Sequence, residues 1–257
     1  MKTIILCGGQ GTRMREETEY RPKPLVEVGG RPILWHIMKM YAHYGHNDFV
    51  LCLGYRGNMI KEYFLQYEAM NNDFTVSLGA KDKIEFHGSH NEQGLKVTLA
   101  DTGLDTMTGG RVQQAAKYVD DDTFLLTYGD GVADVDISKV VEFHHSHGKL
   151  ATLTAMAPAS RYGILDLDSN DCVQRFAEKP KSEGWANAGF FVLNRKVFDY
   201  LDGPECIFER EPLERLALEQ QLVAYKHGGF FYSMDTYRES QILNQLWDSG
   251  KSPWKVW

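Results

Sequence analysis

The sequence predicts an α/β fold in which helices cover a mainly parallel sheet. One observation is that short apolar runs, beginning with Thr3–Cys7 and Phe49–Leu53, have the continuous hydrophobic character of strands buried on both faces. Another is that helical patterns, with apolar residues three or four apart, follow these runs. Strands that alternate with helices along a chain are typical of a parallel sheet with covering helices.

The first half of the chain begins with the Thr3–Cys7 strand, which ends in a glycine-rich loop. Pro32 opens a helical pattern that Gly45 can end, and the Phe49–Leu53 strand follows it. The next elements expected in order are a helix around Met59–Tyr67 and short strands at Phe74–Leu78, Lys83–His87 and Leu95–Leu99.

In the second half, Thr108 is a candidate N-cap for a helix from Gly109 to about Tyr118. The apolar run Phe124–Tyr128 then predicts a buried strand that ends in Gly129-Asp130-Gly131. The remaining expected elements are a helix at Ile137–His147, strands at Ala151–Ala157, Gly163–Leu167 and Ala188–Leu193, and helices at Lys196–Leu201, Pro212–Glu219 and Tyr237–Asp248.

Composition limits the classes of function. The 257 residues are 43% hydrophobic with a formal net charge of −7 and no basic stripe, which argues against a nucleic-acid partner. The four cysteines show no CxxC spacing, so we expect no disulfide framework and a cytoplasmic protein. No apolar stretch approaches the roughly 20 residues that span a bilayer. We expect one domain over 1–257, with an α/β core over 1–200 and an appendage over 201–257.

The loop after the first strand, GGQGTRM (8–14), is a candidate phosphate-binding loop. Glycines let backbone N–H groups approach a phosphate closely, and Arg13 adds a planar donor fork. Lys23 lies between two prolines, which stiffen the backbone around it. A dinucleotide fingerprint would need glycine at Met14, and the only Gly-Lys-Ser has Gln245 where a P-loop needs its leading glycine. A plain turn remains the alternative.

Two aspartates are candidate metal ligands. Asp130 follows a buried strand between two glycines, at the sheet edge where open α/β folds bind ligands. Asp235 precedes a predicted helix, where it could equally be an N-cap. Mg²⁺ prefers oxygen ligands, usually one or two carboxylates together with substrate phosphates. From the residues alone, the alternative that Asp130 is a simple turn residue also stays open.

The combined pattern GGQGTRM followed by RPKPLVEVGGRPIL (8–14 and 21–34) resembles the signature of the sugar-phosphate nucleotidylyltransferases. The resemblance implies the nucleotide-diphospho-sugar transferase fold, a Rossmann-like, mixed and mainly parallel sheet flanked by helices, with small β and C-terminal helical additions. It also implies Mg²⁺ held by Asp130 and Asp235. The nucleotide-binding positions it implies are Leu6, Gly8, Gly9, Gly11, Thr12, Arg13, Lys23, Thr108, Arg111 and Gly129.

The sugar side of that resemblance lies in two further segments. FAEKPK (176–181) places Glu178 and Lys179 before a proline, which on composition alone could be a solvated charge pair. In WANAGFFVLN (185–194), Asn187 and Gly189 match positions near the sugar in the family. The resemblance therefore implies that these four residues bind the sugar phosphate, and that Arg13, Lys23, Asp130 and Lys179 are catalytic.

The base and the sugar are suggested by DTGLDTMTGGRV (101–112), which resembles the family members that use CTP and glucose 1-phosphate. Arg111 would suit cytosine, because a guanidinium can donate to its O2 and N3 acceptors whereas N3 of uracil is a donor. The same resemblance implies a homo-oligomer, a hexamer, that makes CDP-glucose for surface polysaccharide. Two alternatives stay open: the same reaction with UTP or dTTP, and a non-catalytic protein that binds nucleotide sugars.

Overall fold

The computed structural model describes residues 1–79, 83–158, 164–167, 172–177 and 184–257. Its strands are β1 (Lys2–Cys7), β2 (Glu27–Val28), β3 (Arg31–Pro32), β4 (Asp48–Leu53), β5 (Asp73–Val76), β6 (Ile84–His87), β7 (Lys96–Asp101), β8 (Thr123–Tyr128), β9 (Gly131–Ala133), β10 (Ala151–Met156), β11 (Ile164–Leu167), β12 (Val173–Ala177), β13 (Ala186–Asn194), β14 (Leu222–His227) and β15 (Phe231–Ser233). Its α-helices are α1 (Arg15–Thr18), α2 (Ile33–His43), α3 (Gly57–Leu65), α4 (Tyr67–Asn71), α5 (Thr108–Ala115), α6 (Ile137–His147), α7 (Glu211–Leu218) and α8 (Tyr237–Asp248).

A seven-stranded sheet forms the centre, in the order β14-β10-β13-β8-β1-β4-β7. β1 runs parallel to both of its neighbours, β4 and β8, and the pairs β4–β7 and β10–β14 are also parallel. β13 runs antiparallel to β8 and β10. The prediction of a mixed, mainly parallel sheet flanked by helices is therefore confirmed.

Both faces of the sheet are buried, which explains the continuous apolar runs. In β1, Ile5 and Cys7 belong to the cluster that contains the apolar face of α2, such as Ile37. Ile4 and Leu6 belong to the opposite cluster, which includes Val112 of α5. Because successive side chains of a strand point to opposite faces, a strand with helices on both sides must be apolar at every position.

The C-terminal region contributes more strand than its sequence pattern indicates. Residues 201–257, where the sequence predicts a helical appendage, contain α7 and α8 and also supply β14 to the central sheet and β15 to a ladder with β9. β14 is an edge strand whose side chains are half-buried or exposed. An edge strand therefore lacks the continuous apolar run that identified the central strands.

The assignment of Thr108 as an N-cap is wrong. Met107 occupies that position and Thr108 is the first residue of α5. The Thr108 hydroxyl instead accepts a hydrogen bond from the Phe208 backbone N–H at 2.9 Å and donates to Glu209 at 2.6 Å. The N-terminus of α5 is thus held by a distant segment and not by its own side chain.

Within the described residues, no helix has the length and apolar character needed to cross a membrane.

Candidate active site

A cleft of about 330 Å³ opens at the carboxyl ends of β1 and β8, which are adjacent and parallel. Ligands of open α/β sheets bind outside these strand ends. The cleft contains twelve of the residues singled out in the sequence: Leu6, Gly8, Gly9, Gly11, Thr12, Arg13, Lys23, Thr108, Arg111, Gly129, Asp130 and Asp235. The structure therefore brings the predicted nucleotide and metal positions together in one place.

The glycine loop is shaped by close packing with Arg111. A Cβ at Gly8 would lie 2.2 Å from the Arg111 guanidinium carbon, and one at Gly54 would lie 2.6 Å from its Nη1. Gly11 has a positive φ of 62° and so occupies the left-handed region that glycine favours. A Cβ at Gly9, by contrast, would meet nothing within 4 Å. Gly8 thus makes room for Arg111, whereas Gly9, which also lines the cleft, has open space beside it.

Lys23 is held at the floor of the cleft. It begins a short 3₁₀ helix, Lys23–Leu25, whose N-cap Pro22 is extended and whose second residue is Pro24. The Leu25 N–H donates to the Pro22 carbonyl at 2.8 Å and closes the turn. With φ restricted at both prolines, the Lys23 backbone has little freedom, as the sequence predicts. Its side chain is 12% exposed and its ammonium group reaches the two candidate metal carboxylates.

Asp130 and Asp235, far apart in sequence, are brought together by the ladder between β9 and β15. Gly131 pairs with Ser233 in this ladder, and the Met234 N–H donates to the Asp130 carbonyl at 2.9 Å. Asp130 enters the ladder from the end of β8, and Asp235 leaves it just before α8. The sequence gives no sign of β15, so only the fold shows why the two carboxylates meet.

Four charged side chains form a compact cluster in the cleft. Lys23 Nζ lies 2.6 Å from Asp130 Oδ2 and 2.8 Å from Asp235 Oδ1, and Arg13 Nη2 lies 3.0 Å from the same Asp235 oxygen. Burial acts to lower the pKa of Lys23, but the Asp130 and Asp235 carboxylates outweigh it and raise the pKa above its ordinary value. Burial acts to raise the pKa of Asp235, but Lys23 and Arg13 hold it below its ordinary value. Lys23 and Asp235 are both charged at neutral pH.

The helix cap next to Asp235 is supplied by another residue. Thr236 is the N-cap of α8, and it forms a capping box with Glu239. The Asp235 backbone N–H also donates to the Glu239 carboxylate at 2.7 Å. The Asp235 side chain is therefore not the N-cap of α8, and it accepts from Lys23 and from the Ser233 hydroxyl.

Arg111 is buried, with 5% of its surface exposed. Its Nη1 donates to the Leu53 and Gly103 carbonyls at 3.0 and 2.7 Å and to the Thr102 hydroxyl at 2.8 Å. Its Nη2 donates to the Gly8 and Leu104 carbonyls at 3.2 and 3.1 Å. The terminal donors that we expected to contact a base thus bind protein acceptors. Through these hydrogen bonds Arg111 connects the segments at the ends of β1, β4 and β7.

The sugar-side positions are only partly described. Asn187 and Gly189 lie on β13, next to the cleft residue Tyr128, and the Gly189 N–H donates to Asn187 Oδ1 at 2.8 Å. Gly189 has a φ of 81°, and a Cβ there would lie 2.3 Å from the Tyr128 ring. Glu178 and Lys179 lie outside the described residues.

Sequence reasoning missed several residues that line the cleft: Cys7, Pro24, Thr106, Met107 and Tyr128. Tyr128 could have been identified from the sequence, because it is the last residue of the apolar strand and lies two positions before Asp130. Burial raises the pKa of the Cys7 thiol well above its ordinary value, so Cys7 stays protonated and is a poor nucleophile.

Residues 2–227 match the sequence profile of the nucleotidyl transferase family. The chain belongs to that family. It is similar to glucose-1-phosphate cytidylyltransferase of Salmonella typhi, with 51% identity over the full length of both proteins. A probable glucose-1-phosphate cytidylyltransferase of Bacillus subtilis strain 168 is 46% identical, again over the full length of both. The crystal structure of HddC from Yersinia pseudotuberculosis, complexed with GMP-PN, has the same fold, with a TM-score of 0.69, 21% identity and coverage of 96% of this chain and 99% of that one.

Nucleotidyl transferases generally use a divalent metal, and the cleft fits one. Asp130 and Asp235 already direct carboxylate oxygens at a single cationic group, the Lys23 ammonium, from the same end of the β9–β15 ladder. Among the described residues no group of three or more His, Cys, Asp or Glu side chains is arranged to hold a metal. A pair of carboxylates completed by substrate phosphates is the usual arrangement for Mg²⁺.

Proposed function

We propose that this nucleotidyl transferase moves the cytidylyl group of CTP to α-D-glucose 1-phosphate, which gives CDP-glucose and pyrophosphate. The observation that carries the reaction type is the cluster of Arg13, Lys23, Asp130 and Asp235 beside the glycine loop. The choice of CTP and glucose 1-phosphate is supported by the full-length similarity to the Salmonella typhi protein.

The reaction is an in-line displacement. A phosphate oxygen of glucose 1-phosphate attacks the α-phosphorus of CTP, the bond to the bridging oxygen breaks, and pyrophosphate leaves. The nucleophile is already an anion, so no covalent enzyme intermediate is required. The main obstacle is repulsion between two polyanions, so catalysis depends on positioning and charge neutralisation.

The protein's cations have separate tasks in this scheme. Arg13, whose side chain is 75% exposed at the cleft, holds the departing phosphates. Lys23 stays charged through its two carboxylate partners and neutralises the region of the α-phosphate. Lys179 anchors the incoming sugar phosphate, and Glu178, Asn187 and Gly189 contact the sugar.

Asp130 and Asp235 would hold Mg²⁺, which stabilises charge developing on the α-phosphate. Each carboxylate is anchored by a different part of the β9–β15 ladder, so their spacing is fixed before substrate binds. Lys23 lies between them and holds the pKa of Asp235 below its ordinary value.

Discrimination among bases is assigned to the segment 102–111. Arg111 holds the Gly103 and Leu104 carbonyls and the Gly8 carbonyl in fixed positions around the cleft. A base contact by a terminal nitrogen of Arg111 requires that a base acceptor replace one of the protein acceptors that this nitrogen now binds. In either case Arg111 determines the shape of the pocket that receives cytosine.

The protein is further proposed to act in the cytoplasm as a homo-oligomer, a hexamer. The β5–β6 hairpin supports assembly, because Phe74 and Val76 pair with Phe86 and Ile84 and all four side chains are 40–52% exposed. An apolar face of this kind is typical of interaction surfaces. Light scattering of the purified protein tests the hexamer.

The decisive experiment is incubation of the purified protein with CTP, glucose 1-phosphate and Mg²⁺ while pyrophosphate release is followed. UTP and dTTP in parallel reactions test the base. We expect the highest kcat/KM with CTP. A higher value with UTP or dTTP would overturn the base assignment, and tight binding of CDP-glucose without turnover would indicate a non-catalytic nucleotide-sugar sensor.

A further inference from the structure

Glu209 connects two parts of the cleft that no sequence pattern links. It lies between the 3₁₀ helix Arg195–Tyr200 and α7. Its Oε1 accepts a hydrogen bond from the Tyr128 hydroxyl at 2.6 Å, and its Oε2 accepts one from the Thr108 hydroxyl at 2.6 Å. A carboxylate only accepts, so both hydroxyl protons are committed to Glu209. Hydrogen bonds to an ionised acceptor are shorter and stronger than neutral ones.

The hydrogen bond between Thr108 and Glu209 lies on the nucleotide side of the cleft. Thr108 lines the cleft at the start of α5. The Phe208 N–H donates to its hydroxyl at 2.9 Å, and the Gly109 N–H donates to the Cys206 carbonyl at 2.9 Å. Phe208 is fully buried, so this segment is a rigid support. Glu209 therefore fixes the hydroxyl of a residue that lines the cleft, and does so from a buried part of the core.

The hydrogen bond between Tyr128 and Glu209 lies next to the proposed sugar-binding residues Asn187 and Gly189. Burial and the adjacent Glu209 carboxylate raise the pKa of Tyr128, so its hydroxyl keeps its proton. Gly189 packs against the Tyr128 ring, because a Cβ there would lie 2.3 Å from it, and its N–H donates to Asn187 Oδ1 at 2.8 Å. The hydrogen bond from Tyr128 to Glu209 therefore fixes the ring that supports the Asn187–Gly189 segment.

We propose that Glu209 is a positioning residue that orients both halves of the substrate site, the nucleotide half through Thr108 and the sugar half through Tyr128 and Asn187. The inference rests on the proposed function, which assigns Asn187 to the sugar. Glutamine at 209 would present one acceptor and one donor in place of two acceptors. The hydroxyl that faces the amide nitrogen would lose its acceptor, and the other hydroxyl would bind a neutral and therefore weaker acceptor, so neither orientation would be held as firmly.

The test compares Glu209→Gln, Tyr128→Phe and Thr108→Val by calorimetric binding of CMP and of CDP-glucose. The ratio of their dissociation constants, Kd(CDP-glucose)/Kd(CMP), isolates the sugar half. Loss of one hydrogen bond corresponds to roughly a three- to tenfold change. We expect Tyr128→Phe to raise the ratio by that factor. Thr108→Val should raise Kd for CMP without changing the ratio. Glu209→Gln should raise both Kd for CMP and the ratio. Glu219→Gln is the matched control, because Glu219 accepts from the Tyr200 hydroxyl on an exposed surface, and it should change neither.

The double variant Glu209→Gln, Tyr128→Phe separates this role from a merely structural one. If Glu209 acts on the sugar half through Tyr128, the ratio in the double variant equals that in Tyr128→Phe alone. A multiplied ratio, or an unchanged ratio in folded Glu209→Gln, overturns the inference. If Glu209→Gln does not fold, an unchanged ratio in Tyr128→Phe overturns it. Wild-type protein that binds both ligands but releases no pyrophosphate would instead overturn the proposed reaction, and absence of all binding would overturn both.

Discussion

The ammonium nitrogen of Lys23 lies 2.6 Å from a carboxylate oxygen of Asp130, across 107 residues of sequence, and 2.8 Å from one of Asp235. The carboxylates approach it from two strands of one ladder, and the lysine from a proline-bounded turn. The two carboxylates raise the pKa of Lys23, and Lys23 and Arg13 lower the pKa of Asp235, so a cation-binding arrangement is built into the folded protein.

The two aspartates should be essential for turnover. Asp130→Asn and Asp235→Asn each remove a charge that holds the metal, so we expect kcat to fall by about 10²–10³ or more at saturating Mg²⁺. Initial rates of pyrophosphate release measure this. Asp202→Asn is the control, because Asp202 is 75% exposed and lies 3.9 Å from Arg215, away from the cleft residues. Undiminished turnover in Asp130→Asn would refute its role.

Replacing Lys23 by methionine should make stability depend on metal. Arg13 would remain beside Asp235, but Asp130 and Asp235 would repel each other with no cation between them, and the unfolding free energy without metal should fall by about 1–3 kcal/mol. Mg²⁺ should raise Tm more in Lys23→Met than in the wild type, although turnover falls. Lys2→Met, which removes the partner of Asp48, is the control. If Mg²⁺ raised Tm equally in Lys23→Met and in the wild type, the inference that Mg²⁺ and the Lys23 ammonium occupy the same position would be contradicted.

Two neighbouring glycines should respond differently to alanine. In Gly8→Ala the new Cβ collides with Arg111, so we expect a loss of about 1–3 kcal/mol in stability. In Gly9→Ala the Cβ enters free space, so Tm should be unchanged. Gly9 lines the cleft, so KM for CTP should rise in Gly9→Ala. Thermal unfolding and kinetics distinguish the two, and similar Tm losses in both variants would contradict the packing argument.

Arg111→Ala should affect the nucleotide more than the sugar phosphate. It leaves the buried Leu53 carbonyl without this partner and frees the Gly8 and Leu104 carbonyls, so the pocket loses its shape. We expect KM for CTP to rise more than KM for glucose 1-phosphate. Arg195→Ala serves as the control, because Arg195 is exposed and donates to Asp120 at 3.3 Å. An equal rise in both KM values would argue against a role in the nucleotide half.

His36 should make the fold sensitive to acid. Its Nε2 donates to the Val28 carbonyl and its Nδ1 accepts from Trp254 Nε1, so a second ring proton would face an N–H donor. Burial lowers the pKa of His36 to about 4. The unfolded chain, with a His pKa of about 6.5, binds more protons between these values, so stability is lost as pH falls from about 6.5 to about 4. The loss should be roughly 3 kcal/mol.

Denaturant unfolding at pH 7 and pH 4.5 measures this dependence. His36→Phe should be less stable at pH 7 but show a smaller loss between the two pH values. His145→Gln replaces an exposed histidine and should keep the wild-type dependence. A wild-type pH dependence in His36→Phe would show that other groups cause the acid sensitivity.

The sequence by itself determined the fold class, the loop that surrounds the cleft and the identity of the charged residues. Continuous apolar runs identify β1, β4 and β8 because strands buried on both faces leave no polar positions. The glycines, the prolines around Lys23 and the aspartate after β8 are local features, and local geometry follows from neighbouring residues.

Only the tertiary structure decided which of these residues meet. β15 is three residues long and half-buried, so no periodicity reveals the ladder that carries Asp235 to Asp130. Likewise, the sequence assigned Arg111 to a ligand, but in the fold its donors bind carbonyls from three loops. The Glu209 contacts join positions 81 and 101 residues apart. Such contacts depend on how distant segments pack, and a one-dimensional pattern does not encode that geometry directly.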